Sequence, residues 1–224
     1  MHFLSSAILL LAVFGPLASG HSWVVCSKYQ GTNLDTSFDK SKCFGWPRNA
    51  EYYMVDTFGL DRGYNSLLGS TGKVCATPKT YTANYPKATW KRGEELCINW
   101  PAKNHVASNQ VNPWIPDHGV ELRALVSTQN EPTSIEGFNI PVIDFGSSPS
   151  GPSDPLVAQN HFPRPGFQNC PSFNSNDHER TYCSQCFTVP NNLPVGELTI
   201  AWIWKFNSVN PGDTYTTCFD VDVI

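Results

Sequence analysis

Six stretches of the chain concentrate β-branched and aromatic residues between Gly, Pro, Asn and Asp: Trp23–Cys26, Leu96–Trp100, Val120–Ser127, Ile140–Phe145, Glu197–Phe206 and Tyr215–Ile224. Short runs of this kind, bounded by turn residues, predict β-strands. Residues 28–90 and 129–192 read mainly as loops, with a short helix near Asn49–Thr57, where Glu51, Tyr52, Tyr53 and Val55 lie. Strands of this number and spacing suggest an all-β sandwich with functional loops at one end. The Gly/Ser/Pro stretch Gly146–Pro155 is the best linker candidate, but strand patterns and cysteines lie on both sides. It reads as a surface loop, and the chain shows no internal repeat and no low-complexity tail.

One apolar run does not belong to this pattern. Residues 1–20 carry no Asp, Glu, Lys or Arg, include the run Ala7–Phe14 and end in Ala18-Ser19-Gly20. The run is shorter than the roughly 20 apolar residues a membrane helix needs. The small residues at its end suit signal peptidase, so residues 1–20 read as a cleaved signal peptide. Residues 21–224 then form one domain of a secreted, extracellular protein, expected to act as a monomer without a membrane partner.

Composition narrows the class. Only 15% of the 224 residues are charged and 34 are Gly or Pro, which disfavours long solvated helices. Aromatics at 12% exclude a disordered chain, and a net charge of −4 argues against nucleic-acid binding. All eight cysteines (Cys26, Cys43, Cys75, Cys97, Cys170, Cys183, Cys186 and Cys218) fall after residue 20. An even number behind a signal peptide implies four disulfides, with about 105 possible pairings. Cys170, His178, Cys183 and Cys186 have spacings that would suit structural zinc in a cytosolic protein. In an oxidising compartment disulfides are the better reading.

Cleavage after Gly20 would put His21 at the start of the chain. A histidine there offers a metal both its imidazole and its α-amine, and one further histidine would complete three nitrogens. Nitrogen-rich planar or tetragonal sites favour Cu(II). The partner must come from His105, His118, His161 or His178. His105 ends Leu96-Cys97-Ile98-Asn99-Trp100-Pro101-Ala102-Lys103-Asn104-His105, a strand running into a Pro-containing turn. Strand ends commonly present ligands from a rigid scaffold. His118, after Pro116-Asp117, reads as a capping or surface residue, and His161 as a loop residue facing substrate or solvent.

His21, the Trp100-Pro101-Ala102-Lys103-Asn104-His105 segment and the terminal block together resemble the lytic polysaccharide monooxygenases. That block is Ala201-Trp202-Ile203-Trp204-Lys205-Phe206-Asn207 followed by Gly212-Asp213-Thr214-Tyr215-Thr216-Thr217-Cys218. The matching segments cover both ends and the centre of the presumed mature chain, but not its long loops. The resemblance implies an immunoglobulin-like β-sandwich with long disulfide-braced loops and short helices. It also implies one copper ion, held by His21 through two nitrogens and by His105, with Tyr215 as axial ligand. These three would be the catalytic and cofactor-binding residues. Asp213 and Trp204 would lie just behind them, with His161 as a further neighbour, although turn formation and core packing account equally well for Asp213 and Trp204. An external electron donor, with O2 or H2O2 as co-substrate, would complete the reaction.

The cysteine-rich loops and overall size look most similar to the oomycete group, auxiliary activity family seventeen, which implies cleavage of pectin, specifically homogalacturonan. Residues 73–103 hold Lys73, Lys79, Lys87, Lys91, Arg92 and Lys103 against Glu94 and Glu95, a local charge of +4. Such a patch would attract polygalacturonate, unless acids elsewhere in the fold neutralise it. Members acting on cellulose or chitin remain open, as does a non-catalytic carbohydrate- or copper-binding protein using surface aromatics such as Trp90 and Trp114. A hydrolase is disfavoured: the adjacent Glu94 and Glu95 would point to opposite faces of a strand, and no other carboxylate pair stands out.

Overall fold

The structure, a computed structural model, describes residues 23–32, 38–53, 64–65, 74–75, 79–101, 117–127, 132–145, 182–206 and 214–224. Within them lie nine strands: β1 (Cys26–Tyr29), β2 (Tyr64–Asn65), β3 (Ala88–Trp90), β4 (Glu95–Pro101), β5 (Asp117–Val126), β6 (Ile140–Asp144), β7 (Tyr182–Thr188), β8 (Gly196–Phe206) and β9 (Thr214–Val223). One helical turn, α1 (Ala50–Tyr53), falls inside the expected helix, and 3-10 turns occupy Lys40–Lys42 and Ile135–Gly137. No helix among the described residues is long and apolar enough to cross a membrane.

The strands form the two sheets of an all-β sandwich. One sheet has the order β1-β4-β7, and the other β2-β9-β8-β5-β6, with β3 parallel to β9. Period-2 alternation assigns the faces. Leu96, Ile98 and Trp100 of β4 meet Val120, Leu122 and Ala124 of β5, Leu198, Ile200, Trp202 and Trp204 of β8, and Phe219, Val221 and Val223 of β9. Across this interior Trp100 lies 6.0 Å from Trp202, and Trp90 lies 5.6 Å from Phe187 and 5.8 Å from Phe219, centroid to centroid. Burial on this scale, at about 25 cal/mol per Å² of apolar surface, is what holds the two sheets together.

Both outer faces are also covered. Trp23, Val25, Tyr29, Trp46 and Tyr182 cluster outside the smaller sheet, while Val74, Phe138, Ala201 and Ile203 cluster outside the larger one. Three disulfides join the described elements: Cys26–Cys43, Cys75–Cys218 and Cys97–Cys186. The last links β4 directly to β7 in register, and it removes Cys186 from the zinc-like set.

Three corrections to the strand reading have physical causes. Residues 23–25 are apolar and buried, but their amides bond two different sheets, so the first strand begins only at Cys26. β7 lies in a stretch read as loop because Ser184 and Gln185 look like solvent residues. Both are buried, and Ser184 accepts a hydrogen bond from Asn99 Nδ2 at 2.9 Å. β3 is only three residues long and pairs in parallel with Val221–Val223, a contact no local pattern announces.

Candidate metal centre

The strand ends nearest in sequence to His21, His105 and Tyr215 gather at one end of the sandwich. Arg92, before β4, donates its backbone N–H to the Ile224 carbonyl at 3.0 Å, so the start of β4 is level with the end of β9. At the other end of β4, Trp100 packs against Trp202, whose partner on β9 is Thr217. The end of β4 is therefore level with the start of β9, where Tyr215 lies. The segment before β1 reaches the same level: the Val25 N–H donates to the Asn99 carbonyl at 2.8 Å, and the Val24 N–H donates to Thr217 Oγ1 at 3.3 Å. Because β1 and β4 are antiparallel, with Cys26 opposite Asn99, moving backward along one and forward along the other leads the same way.

Tyr215 sits in β9 opposite Trp204 of β8, with ring centroids 5.2 Å apart and planes 30° apart. Only 4% of Tyr215 and none of Trp204 is exposed. Trp204 in turn lies 6.5 Å from Trp202, so the aromatic row of the interior runs up to the tyrosine. Asn65 of β2 pairs with Tyr215 on the outer edge of β9. The Cys75–Cys218 disulfide fixes the same strand three residues further on.

Of the residues singled out in the sequence, Tyr215 and Trp204 are thus in contact. His21, His105, His161, His178 and Asp213 lie outside the described residues, and His118 lies within β5. Among the described residues no group of three or more His, Cys, Asp or Glu could hold a metal. Of the candidate ligands, the described residues include Tyr215, whose phenol oxygen could serve as a weak donor.

Sequence reasoning missed Thr217 and Asn99, which fasten the N-terminal segment to both sheets. The signal for Thr217 was present: it is the hydroxyl in an inward row otherwise formed by Tyr215, Phe219, Val221 and Val223.

Two cations of the proposed patch, Lys79 and Lys87, are neutralised by acids from elsewhere in the chain. Lys79 meets Glu197 at 2.6 Å and Asp220 at 3.1 Å, while Lys87 meets Glu197 at 2.6 Å and Asp222 at 2.7 Å. Arg48 meets Asp220 through both Nε and Nη2 at 2.8 Å. Three cations thus face three carboxylates. Asp222 is seven residues along β9 from Tyr215, about 23 Å at roughly 3.3 Å per residue. Lys79 and Lys87 therefore do not serve a substrate at the Tyr215 end. Lys73 and Lys103 lie outside the described residues. Trp90 is not a surface aromatic either: it is fully buried, and its indole N–H donates to the Ser27 carbonyl at 3.2 Å. Glu94 accepts from Lys28 at 2.7 Å, and Glu95 opens β4, so the two form no facing pair.

Among curated proteins none matches the chain. A family model described as Domain of unknown function (DUF7492) matches residues 167–224. Solved structures with a similar arrangement include an AA10 lytic polysaccharide monooxygenase from Streptomyces lividans, at 13% identity and TM-score 0.33 over 62% of this chain and 60% of that one. A chitin-binding domain from Burkholderia pseudomallei matches at 9% identity and TM-score 0.39, over 91% of this chain and 99% of that one. The catalytic domain of a lytic polysaccharide monooxygenase from Listeria monocytogenes matches at 10% identity and TM-score 0.36, again over 91% and 99%. The chain spans about three fifths of the length of the Streptomyces protein.

Proposed function

We propose that the chain is a secreted, copper-dependent polysaccharide monooxygenase of the lytic type, that residues 1–20 are a signal peptide, and that His21, His105 and Tyr215 hold one copper ion. One observation carries the reading: the segment after His21 is hydrogen-bonded both to β4, which leads toward His105, and to β9, which bears Tyr215. Copper, when bound, supplies one-electron redox chemistry toward O2 or H2O2, with electrons from an external reductant. The chain's part is to fix ligand geometry. Tyr215 is held by Trp204 on one side and by the β2 and β8 pairings, so its phenol oxygen has little freedom to move. β4 is cross-linked to β7 by Cys97–Cys186, and β9 to the segment at Cys75, so both strands are braced close to the site.

The substrate we propose is an acidic polysaccharide, homogalacturonan, on the strength of the pectin-active resemblance. Because Lys79 and Lys87 are neutralised at the far end, any cation serving this substrate is to be sought elsewhere, with Lys103, two residues before His105, first in line.

The test is Cu(II) titration of a chain beginning at His21, beside one carrying a single extra residue before it. Tight one-to-one binding that the extra residue abolishes is expected, as is loss of binding in His105→Ala and a smaller effect in Tyr215→Phe. Unchanged affinity in the extended chain refutes the histidine assignment. Mass analysis of products from homogalacturonan, cellulose and chitin, with ascorbate, then decides the substrate. Copper binding without oxidised products from any of the three would reject the enzyme and leave a copper-binding protein.

A further inference from the structure

We infer that Thr217 is a positioning residue for the copper site: its hydroxyl sets the position of the His21 segment against the strand that bears Tyr215. The inference rests on the copper reading above and adds a residue to it. Thr217 is buried on the inward side of β9, opposite Trp202. Valine would fill the same space, so its hydroxyl needs a use, and the structure supplies one. It accepts the Val24 N–H at 3.3 Å. The next amide, Val25, points to the other sheet and donates to the Asn99 carbonyl at 2.8 Å. Asn99 is itself held to β7 through Ser184.

Two consecutive amides thus pin the segment between the two sheets. His21 precedes the Val24 anchor by three residues in the sequence. Thr217 and Tyr215 are two residues apart on one face of β9, about 7 Å. The Val24–Thr217 bond joins the N-terminal segment to β9 directly. Without it, the segment keeps its tie to β4 through Asn99 but loses this bond to the tyrosine strand.

The experiment compares Thr217→Val and Thr217→Ser with the unaltered chain, each beginning at His21 and fully oxidised. Lys87→Met, about 23 Å away along β9, controls for general loosening. Three readouts are taken: Cu(II) affinity by competition titration, the electron paramagnetic resonance spectrum of the Cu(II) form, and hydrogen exchange at the Val24 amide. Thr217→Val is expected to weaken copper binding about tenfold or more, the usual cost of losing a group that orients a ligand. It should also alter the copper hyperfine pattern and speed Val24 exchange. Thr217→Ser should restore all three, and Lys87→Met should leave copper affinity and spectrum unchanged. Thr217→Val with affinity within twofold of the unaltered chain and the same spectrum overturns the inference while leaving the copper reading intact. A folded Thr217→Ser chain that has lost copper affinity overturns it as well, since the hydroxyl is kept. If the unaltered chain takes up no copper, the proposed function falls, and this role with it.

Discussion

Asp220→Asn tests whether the buried charges on the outer face of the large sheet hold the fold as the geometry implies. Asp220 is fully buried, and its carboxylate receives Arg48 through two nitrogens, Thr199 Oγ1 and the Tyr81 hydroxyl, with Lys79 Nζ at 3.1 Å. Burial pushes the Asp220 carboxyl up, but hydrogen bonds and charge from Arg48 outweigh it and hold the group below the ordinary carboxylate range. Burial, followed by the Asp220 charge, keeps the Tyr81 phenol protonated far above its usual range. Asparagine preserves shape and can still accept one hydrogen bond. It removes the charge that compensates Arg48, only 2% exposed.

Breaking a buried pair from one side costs about 3–5 kcal/mol, and the retained amide oxygen argues for the lower end, about 3 kcal/mol. For a chain of this size 1 kcal/mol moves the melting temperature by roughly 2–4 °C, so a drop of about 6–12 °C is expected. Equilibrium denaturation at neutral pH with the disulfides intact is the assay. Arg48→Met combined with Asp220→Asn should be less damaging than Asp220→Asn alone, because no unpaired buried charge remains. A single-variant loss under about 1 kcal/mol, or a double variant worse than the sum of the singles, would refute the assignment of stability to this pair.

Three further outcomes follow from the same structure. The Glu197 carboxyl is drawn from 4.5 to about 2, chiefly by the hydrogen bond from Lys79, then by Lys87 and Ser127. Its contribution is complete above pH 4.5 and lost as the pH falls toward 2, so Glu197→Gln should flatten that part of the acid-denaturation profile. Its partial exposure limits the effect to about 1 kcal/mol or less, and an unchanged profile counts against the ion pairs. A methyl group at Gly45 would collide with the Ala88 side chain and crowd Ser27 Oγ. Gly45→Ala should therefore cost about 1–3 kcal/mol by the same denaturation assay, and wild-type stability would show that β3 can yield. With six cysteines paired among the described residues, Cys170 and Cys183 remain of the eight. Peptide mapping without reduction should find them joined, and a free thiol at either position contradicts the expectation of four disulfides.

The strands that alternate cleanly were legible from the residues alone. β8 shows its inward row as Leu198, Ile200, Trp202 and Trp204, and β9 shows Phe219, Val221 and Val223. What escaped was structure made by partners distant in the chain. Ser184 is buried because Asn99, 85 residues away, meets its hydroxyl, and no local pattern reports that. Lys79 and Lys87 looked like part of a basic face because their carboxylates come from Glu197, Asp220 and Asp222, more than a hundred residues further on. Of the candidate site, Tyr215 was singled out because the resemblance implies an axial ligand there, whereas Thr217 was passed over because a threonine in a strand normally needs no explanation.

The positions of these groups divide the sandwich into two ends with different duties. At the Tyr215 end, the inner face of β9 carries a phenol and a hydroxyl, and the N-terminal segment crosses from one sheet to the other. Toward the opposite end, the outer face of β9 carries Asp220 and Asp222, which bind the three cations. Asp220 is five residues from Tyr215, about 17 Å, and on the other side of the sheet. Substitutions that far apart without a shared partner normally act independently. Asp220→Asn should therefore lower stability while leaving the copper affinity of the folded chain unchanged, and Thr217→Val should weaken copper binding out of proportion to its effect on melting. If Asp220→Asn weakened copper binding as much as Thr217→Val did, the strand would be transmitting the disturbance along its length. The spatial separation would then not be a functional one.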